Sequence, residues 1–593
     1  MTKRKIESVD LDHYQKINED RRNLLLLDWL GDDDRRGELF SALNGKPLVF
    51  PSRDTSPREP AGLGPGSEWP VPNVGHKLVR LVTDPCSIKE ILGDDGSKYS
   101  NRVYAELGGG NFMLALDPSV SLAHGLQRKA FACAFSNSDE TLLKLAFEAV
   151  RAASIMSLLT PEFDMAAFAE EAALRYCQKL MGYSMSDYPI LEASLRSAYR
   201  ALVYQVMGRH FATNPLAIPV ARQQMGALLA RTSDLIDAYA RNDKDALKGC
   251  KDRELPDGLI PSLKRLGKLD SEINGEQRAI VALGAAIGTV GNVQAAACIV
   301  MKAYFSDSGK ELRGEIDALA TKTKTKPRNS LDRNEFEDWK GAIAPSLAEN
   351  PPIPFLPRWD VVSGEEVILA LGAATRDAAS AASLVWGGDP GTHHCAGEAL
   401  AWPLIVEIVR QTCCLPSLAQ GLDAQDGAPV GLTKTWGFIC ESYPLRHRRE
   451  SRVAQTTLNV HMRLRPPVRD SADRVREIIR SGAPRIEEAL RSATHVHFAW
   501  FELIEADTVL VLHTVYDGPF SAYIQQFALM VGDLFDVLFS CIEDAPPTPI
   551  DKFPDEFVAL IQRYNRPPAM GYFFSAYPRS EVTQILRDDR VRS

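Results

Sequence analysis

What this chain lacks narrows its function before any motif does. Its 593 residues include ten cysteines, none spaced as CxxC or arranged with histidines in a ladder. That excludes the common zinc and iron–sulfur frameworks and leaves scattered thiols suited to a reducing cytoplasm. Basic charge is in deficit: 68 Lys and Arg stand against 77 Asp and Glu, a formal charge of −9. Such a balance argues against nucleic acid as a partner. The opening MTKRKIESVDLDHYQ holds no apolar run of the secretory kind, so a cytoplasmic protein is expected. Long uncharged stretches are scarce, with one exception. Residues 279–301 carry no charge and could cross a bilayer by length, yet they hold Thr289, Asn292, Gln294 and three glycines. We read this stretch as the buried central helix of a large domain, with no membrane span. With 45% hydrophobic and 24% charged residues the chain is globular and can bury large cores.

The most informative stretch that is present is Gly391-Thr392-His393-His394-Cys395-Ala396-Gly397-Glu398-Ala399-Leu400-Ala401, followed by the apolar segment Trp402 to Val409. A glycine turn presents one cysteine at the start of an amphipathic helix, where amide groups favour a thiolate. The small residue two positions on lets a flat group approach the backbone. A buried structural cysteine is the plain alternative. The spacing Gly-x-His-x-Cys-x-Gly-x-x-x-Ala resembles the haem-ligand loop of the cytochrome P450 superfamily, which implies Cys395 as axial ligand of haem b iron. The family's loop opens with Phe seven residues before the cysteine. Here Gly388 stands there, and Trp386 is taken as the aromatic of an expanded loop.

Three further stretches extend the resemblance to roughly residues 70–450. In NFMLALDPSVSLAHGLQRKAFACAF, His124 and Arg128 stand four apart on one helical face, similar to the family's propionate-binding H-x-x-x-R pair. In NPPIPFLPRWDVVSGEEVILALGAATRD, Arg358 matches a propionate-binding arginine, and the resemblance adds His393 to the same set. The family's ExxR should precede that segment, but Pro345 and Ala348 occupy its two positions. The third stretch is Gly288-Thr289-Val290-Gly291-Asn292-Val293-Gln294-Ala295-Ala296. Oxygen-activating members carry an acid and an alcohol here to relay protons. With Gly291 on the family glycine, those positions hold Val293 and Gln294. Thr-x-Gly-Asn before Ala-Ala is similar instead to the corresponding helix of prostacyclin synthase, and an Asn or Gln here also resembles the allene oxide synthases; these proteins rearrange or dehydrate peroxides. The resemblance implies Asn292 and Gln294 as distal groups that steer peroxide oxygens. Their alternative is backbone satisfaction at a helix distortion.

Residues 1–69 are expected to form a polar, partly helical extension, and PLRHRRESR a basic linker to a separate domain at 451–593. That domain alternates as TLNVHMRLR (strand), DSADRVREIIRSGAPRIEEALRSA (helix), HVHFAWFELIE and TVLVLHTVYD (strands), FSAYIQQFALMVGDLFDVLFSCI (helix) and MGYFFSAYP (strand). The order is βαββαβ, a ferredoxin-like α+β sandwich. Its single Cys541 rules out an iron–sulfur cluster. His495 and His497 share a strand without a third ligand nearby and are read as packing residues. The expected architecture is therefore a mainly α cytochrome P450 fold with small β-sheets plus this sandwich, whose sheet could pair two copies into a homodimer. The expected activity is rearrangement or dehydration of an organic hydroperoxide, a lipid one foremost, without external electrons. A monooxygenase or peroxygenase acting on a small hydrophobic molecule is the second reading, and a non-catalytic haem-binding protein the third.

Overall fold

An uncharged helix of more than twenty residues is stable in water only when other elements enclose it, and the first part of this protein is built as that enclosure. The computed structural model describes residues 7–53, 78–105, 112–119, 121–134, 139–157, 162–211, 214, 216–241, 243, 275–324, 330–375, 384–388, 394–423, 427–435, 439–447, 455–493, 495–518, 520–566, 582 and 585. The chain divides into two compact units, Met1–Val150 with Asp164–Leu445, and Arg151–Phe163 with Arg446–Ser593.

In the first unit the helices that shape the site are α1 (Leu122–Ala134), α2 (Met165–Met181), α3 (Tyr188–Val206), α4 (Ala217–Arg241), α5 (Gly275–Phe305), α6 (Arg333–Glu349) and α7 (Glu398–Cys413). The uncharged run is α5, and 83% of its most apolar window is buried inside the protein. Helices α1 to α4, α6 and α7 all pack against it. Its neighbour α2 starts at Asp164, whose carboxylate accepts from the amides of Ala166 and Ala167, and stops at Gly182 in the left-handed region.

A five-stranded sheet flanks the helices in the order β1 (Leu48–Pro51), β2 (Leu78–Val82), β5 (Glu365–Ala370), β4 (Phe355–Asp360), β3 (Tyr99–Ser100). Strands β4 and β5 pair antiparallel with Arg358 opposite Val367. The N-terminal segment departs from expectation. Of the expected extension 1–69, residues 7–53 do not stand apart, because β1 joins this sheet and Tyr14, Leu25, Leu26 and Trp29 share one core with Val79, Trp359 and Ile368. The run Leu24–Leu27 supplied apolar surface that had to be buried somewhere.

A charge cluster fastens that segment. The Asp33 carboxylate receives Arg36 at 2.5 Å, Lys302 of α5 at 2.6 Å and Lys434 at 2.9 Å. Burial pushes the Asp33 carboxyl up, but Lys434, Arg36 and Lys302 outweigh it and hold the group well below the carboxylate range. A depressed folded pKa stabilises the fold above the unfolded value, and the contribution declines as acid protonates the unfolded chain first.

The second unit runs β6 (Gln455–Arg463), α8 (Val468–Ala493), β7 (Val496–Ile504), β8 (Val509–Asp517), α9 (Phe520–Phe539) and α10 (Pro554–Tyr564). Its sheet is antiparallel in the order β6-β8-β7. One face, with Leu458, Val460, Met462, Leu510, Leu512 and Tyr516, is buried in a core with Val475, Phe535 and Phe539. The helices cross closely at Gly482, where an added Cβ would lie 2.7 Å from Leu534. After α10 the chain returns to the outer edge of β6, where Asn565 bridges Val460. The strand expected at MGYFFSAYP lies outside the described residues. His497 Nε2 meets the buried Asp517 carboxylate at 2.9 Å, and His495 is buried with its carbonyl accepting from the Asp517 amide.

Asp33→Ala is expected to cost about 3–5 kcal/mol at neutral pH by leaving buried cations without their anion. Thermal denaturation checks this, and the gap from the parent should narrow as pH falls below about 4.

Candidate functional site

Helix periodicity decides which groups of α5 can act together. At 100° per residue, positions i, i+3 and i+4 share a face and positions i and i+2 lie nearly opposite. Ala285, Gly288, Thr289, Asn292 and Ala296 accordingly line one internal cavity of ≈ 580 Å³. Gly291 and Gln294 point the other way. Gln294 Nε2 donates to the carbonyls of Ala166 (3.1 Å) and Cys440 (3.3 Å), so it ties α5 to its neighbours. The expected distal role of Gln294 is therefore corrected: two residues beyond Asn292, it cannot share that residue's face. Gly291 is required by packing, since a Cβ there would lie 2.2 Å from the Tyr199 ring of α3.

Asn292 does reach the cavity. Its Nδ2 donates to the Gly288 carbonyl at 2.8 Å, and Thr289 Oγ1 donates to the Ala285 carbonyl at 2.7 Å. Both side chains thus return a donor to the helix and keep acceptor oxygen in the wall. Thr289, quoted from sequence only as part of the Thr-x-Gly-Asn pattern, was given no role there. Its spacing of three from Asn292 was the available signal.

Across the cavity from this helix the loop carrying Cys395 is held at both ends. The Cys395 amide donates to the Trp386 carbonyl at 2.7 Å, and the Trp386 ring packs against Trp402 of α7 at 5.6 Å. The inserted aromatic is thereby built into the loop's anchoring. Arg128 Nη1 donates to the His394 carbonyl at 3.0 Å, bracing the residue before the cysteine from α1. His394 places Nδ1 by the Gly388 carbonyl and Nε2 by the Glu398 carboxylate, each at 3.0 Å. His393 lies outside the described residues.

Cys395 opens onto the cavity. Burial pushes its thiol up, opposed by the Gly397 amide and, less strongly, by Arg128. The amide end expected to favour thiolate acts as anticipated, but desolvation exceeds it in the protein alone. A Cβ at Gly397 would make only an ordinary 3.7 Å contact with Sγ. Among the described residues no neighbour demands glycine there.

The cationic candidates converge on the same cavity. His124, Arg128 and Arg358 all line it. Arg358 is buried and directs Nη1 to the Pro357 carbonyl at 2.9 Å, while its Nε has no partner among the described residues. Tyr104, another wall residue missed in the sequence, hydrogen-bonds Arg358, and burial pushes its phenol up to about 12. Burial, with Arg128 beside it, pushes the His124 imidazole down. The remaining wall is apolar, with Phe112, Val206, Leu283, Ile287, Leu356 and Ile405.

Solved structures with similar architecture include the cytochrome P450DA heme domain, at a TM-score of 0.51 and 13% identity over 71% of this chain and 95% of that one. The fold is that of the cytochrome P450s. Two others are CalO2, at 0.49 and 15% identity over 71% and 97%, and P450BioI in complex with an acyl carrier protein carrying hexadec-9Z-enoic acid, at 0.48 and 16% over 70% and 99%. No protein-family model matches the chain, and no curated protein matches it by sequence.

The residues fit a flat iron macrocycle bearing two carboxylates. A single sulfur with free space beside it faces the cavity, and an unpartnered buried guanidinium nitrogen, a second arginine, an imidazole and a phenol stand around the same space.

Gln294→Leu should lower stability by about 1–3 kcal/mol through unsatisfied buried carbonyls. Ligand-induced changes in visible absorbance should stay as in the parent; a change there would return Gln294 to the cavity.

Proposed function

We propose that this protein is a haem-thiolate enzyme that rearranges or dehydrates an organic hydroperoxide, with a ferredoxin-like domain appended at its C-terminus. Cys395 is the axial ligand. Arg358, Arg128, His124 and Tyr104 receive the two propionates, with His393 assigned to the same set by its place in the motif. When bound, the haem iron supplies one-electron opening of the peroxide O–O bond.

The observation that carries this reading is the character of the α5 face. Its polar groups are Thr289 and Asn292, with no carboxyl among them, and each has returned a donor to a backbone carbonyl. Such a face is poorly equipped to deliver protons to dioxygen. It is well equipped to receive the O–H of a hydroperoxide at Asn292 Oδ1 and fix which oxygen faces inward. The apolar wall then holds the carbon chain and excludes water from the reactive fragment. Isomerisation and dehydration leave the electron count of substrate and product equal, so no reductase is needed. Thr289 supports a second reading: its hydroxyl could serve an oxygenase or peroxygenase relay from a position one turn before the family's own.

Mixing the purified holoprotein with a polyunsaturated fatty-acid hydroperoxide, without reductant, separates the two. Catalytic loss of the conjugated-diene absorbance with an intact Soret band is expected. Loss of dienes only with reductant would favour the oxygenase. Asn292→Ala should retain haem and slow turnover by roughly 10²-fold, the scale of one lost transition-state hydrogen bond. Cys395→Ala should abolish the thiolate-type spectrum.

A further inference from the structure

The cavity of the first unit holds a cation with no part in the proposed haem cradle. Arg128 and Arg358 match the two propionate charges, whereas Arg222 stands on α4 and lines the same cavity. Among the described residues no Asp or Glu lines that cavity. Its wall therefore keeps one positive charge beyond the haem carboxylates, and a wall of that sign favours an anionic ligand over a neutral or cationic one. Helix periodicity brings Arg222 there. With Met225, Gly226 and Leu229 it falls at i, i+3, i+4 and i+7, the stripe of α4 that faces the cavity.

Arg222 is exposed, and Gly226 follows one turn later on the same stripe. Among the described residues nothing lies within 4 Å of a Cβ added at Gly226. That space beside the guanidinium admits a head group, and a planar fork of N–H donors fits a carboxylate with two hydrogen bonds. The neighbouring lining is apolar: Met225 and Leu229 of α4, with Ile280, Leu283 and Ile287 of α5 in the turns before Thr289 and Asn292. Helix α4 packs against α5, so both apolar strips border one space. We propose that Arg222 anchors the carboxylate of a long-chain free acid, whose apolar chain runs from α4 to the Thr289–Asn292 face. This rests on the hydroperoxide reading for what happens at Asn292, and it narrows the substrate to a free acid rather than an ester, amide or thioester, none of which carries a charge at that end. It also fixes direction, with the head at α4 and the reacting carbons at α5.

The test is calorimetric titration of the full-length holoprotein with decanoate, methyl decanoate and decyltrimethylammonium, each kept below its micelle-forming concentration. The parent is expected to bind the acid at least about 10-fold more tightly than the ester, the scale of one charge-assisted pair. Arg222→Leu should erase that difference by weakening the acid alone. Arg222→Glu should invert the order, so that the quaternary ammonium, which cannot ligate iron, binds more tightly than the acid. A merely structural arginine would produce no such inversion. Both variants should keep the parent's circular dichroism and Soret band, since the side chain is exposed and stands outside the haem cradle. Gly226→Leu, which puts a good helix former in the space beside the guanidinium, should weaken the acid as well. Equal affinity of the parent for acid and ester, an acid preference that survives Arg222→Leu, or no gain of the ammonium by Arg222→Glu would overturn the proposal. The ligands are saturated and carry no peroxide. Loss of the anchor therefore leaves the hydroperoxide chemistry standing, and an intact anchor in a protein that spares conjugated dienes ends that chemistry alone.

Discussion

The enclosure of α5 is the constraint on which the first unit depends. A helix without charge from 279 to 301 must be covered on almost every side, and its neighbours α2, α3, α4, α6 and α7 are placed by that need. Only one face of it is spared close packing. That face, from Ala285 to Ala296, is where Thr289 and Asn292 stand, so the cavity is the part of the helix surface that the protein leaves for a ligand. The opposite face is filled: Tyr199 lies against Gly291 and Gln294 bridges to Ala166 and Cys440.

The Cys395 loop solves a second problem. The family's ExxR is absent, and Pro345 sits inside α6 where its glutamate would stand. The loop is held by other means: the Trp386 carbonyl takes the Cys395 amide, Trp386 packs on Trp402, and Arg128 reaches the His394 carbonyl from α1. Arg128 thereby serves the loop and the cavity at once. A buried Glu407–Arg410 pair lies three residues apart within α7. The pair is worth little net stability, but removal of either partner would strand a buried charge.

Composition and spacing made much of this legible. The cysteine loop, the His124–Arg128 face and Arg358 on a strand each rest on local periodicity, and local periodicity survives folding. The strand–helix order of the second unit is likewise readable, because alternating apolar residues and Gly, Pro or Asp breaks are short-range signals. Two kinds of inference failed. Asn292 and Gln294 were paired by motif position although 200° of helix rotation separates them. Residues 1–69 were set apart by polarity although Trp29 and Leu26 are fully buried in the main core. Both errors come from treating a segment's character as uniform, when burial is decided face by face.

By itself the sequence determined that a lone thiol stands at a glycine turn, that residues 288–296 carry no acid, and that an α+β unit follows. These properties depend on which residues are present and how far apart they lie. Tertiary structure alone decided that Gln294 is a strut, that Tyr104 and Thr289 belong to the cavity, that Arg358 is buried with an unpartnered nitrogen, and that Phe498 and Trp500 are exposed together. Each depends on what lies against a side chain from a distant part of the chain, and desolvation and packing by distant neighbours leave no mark in local order.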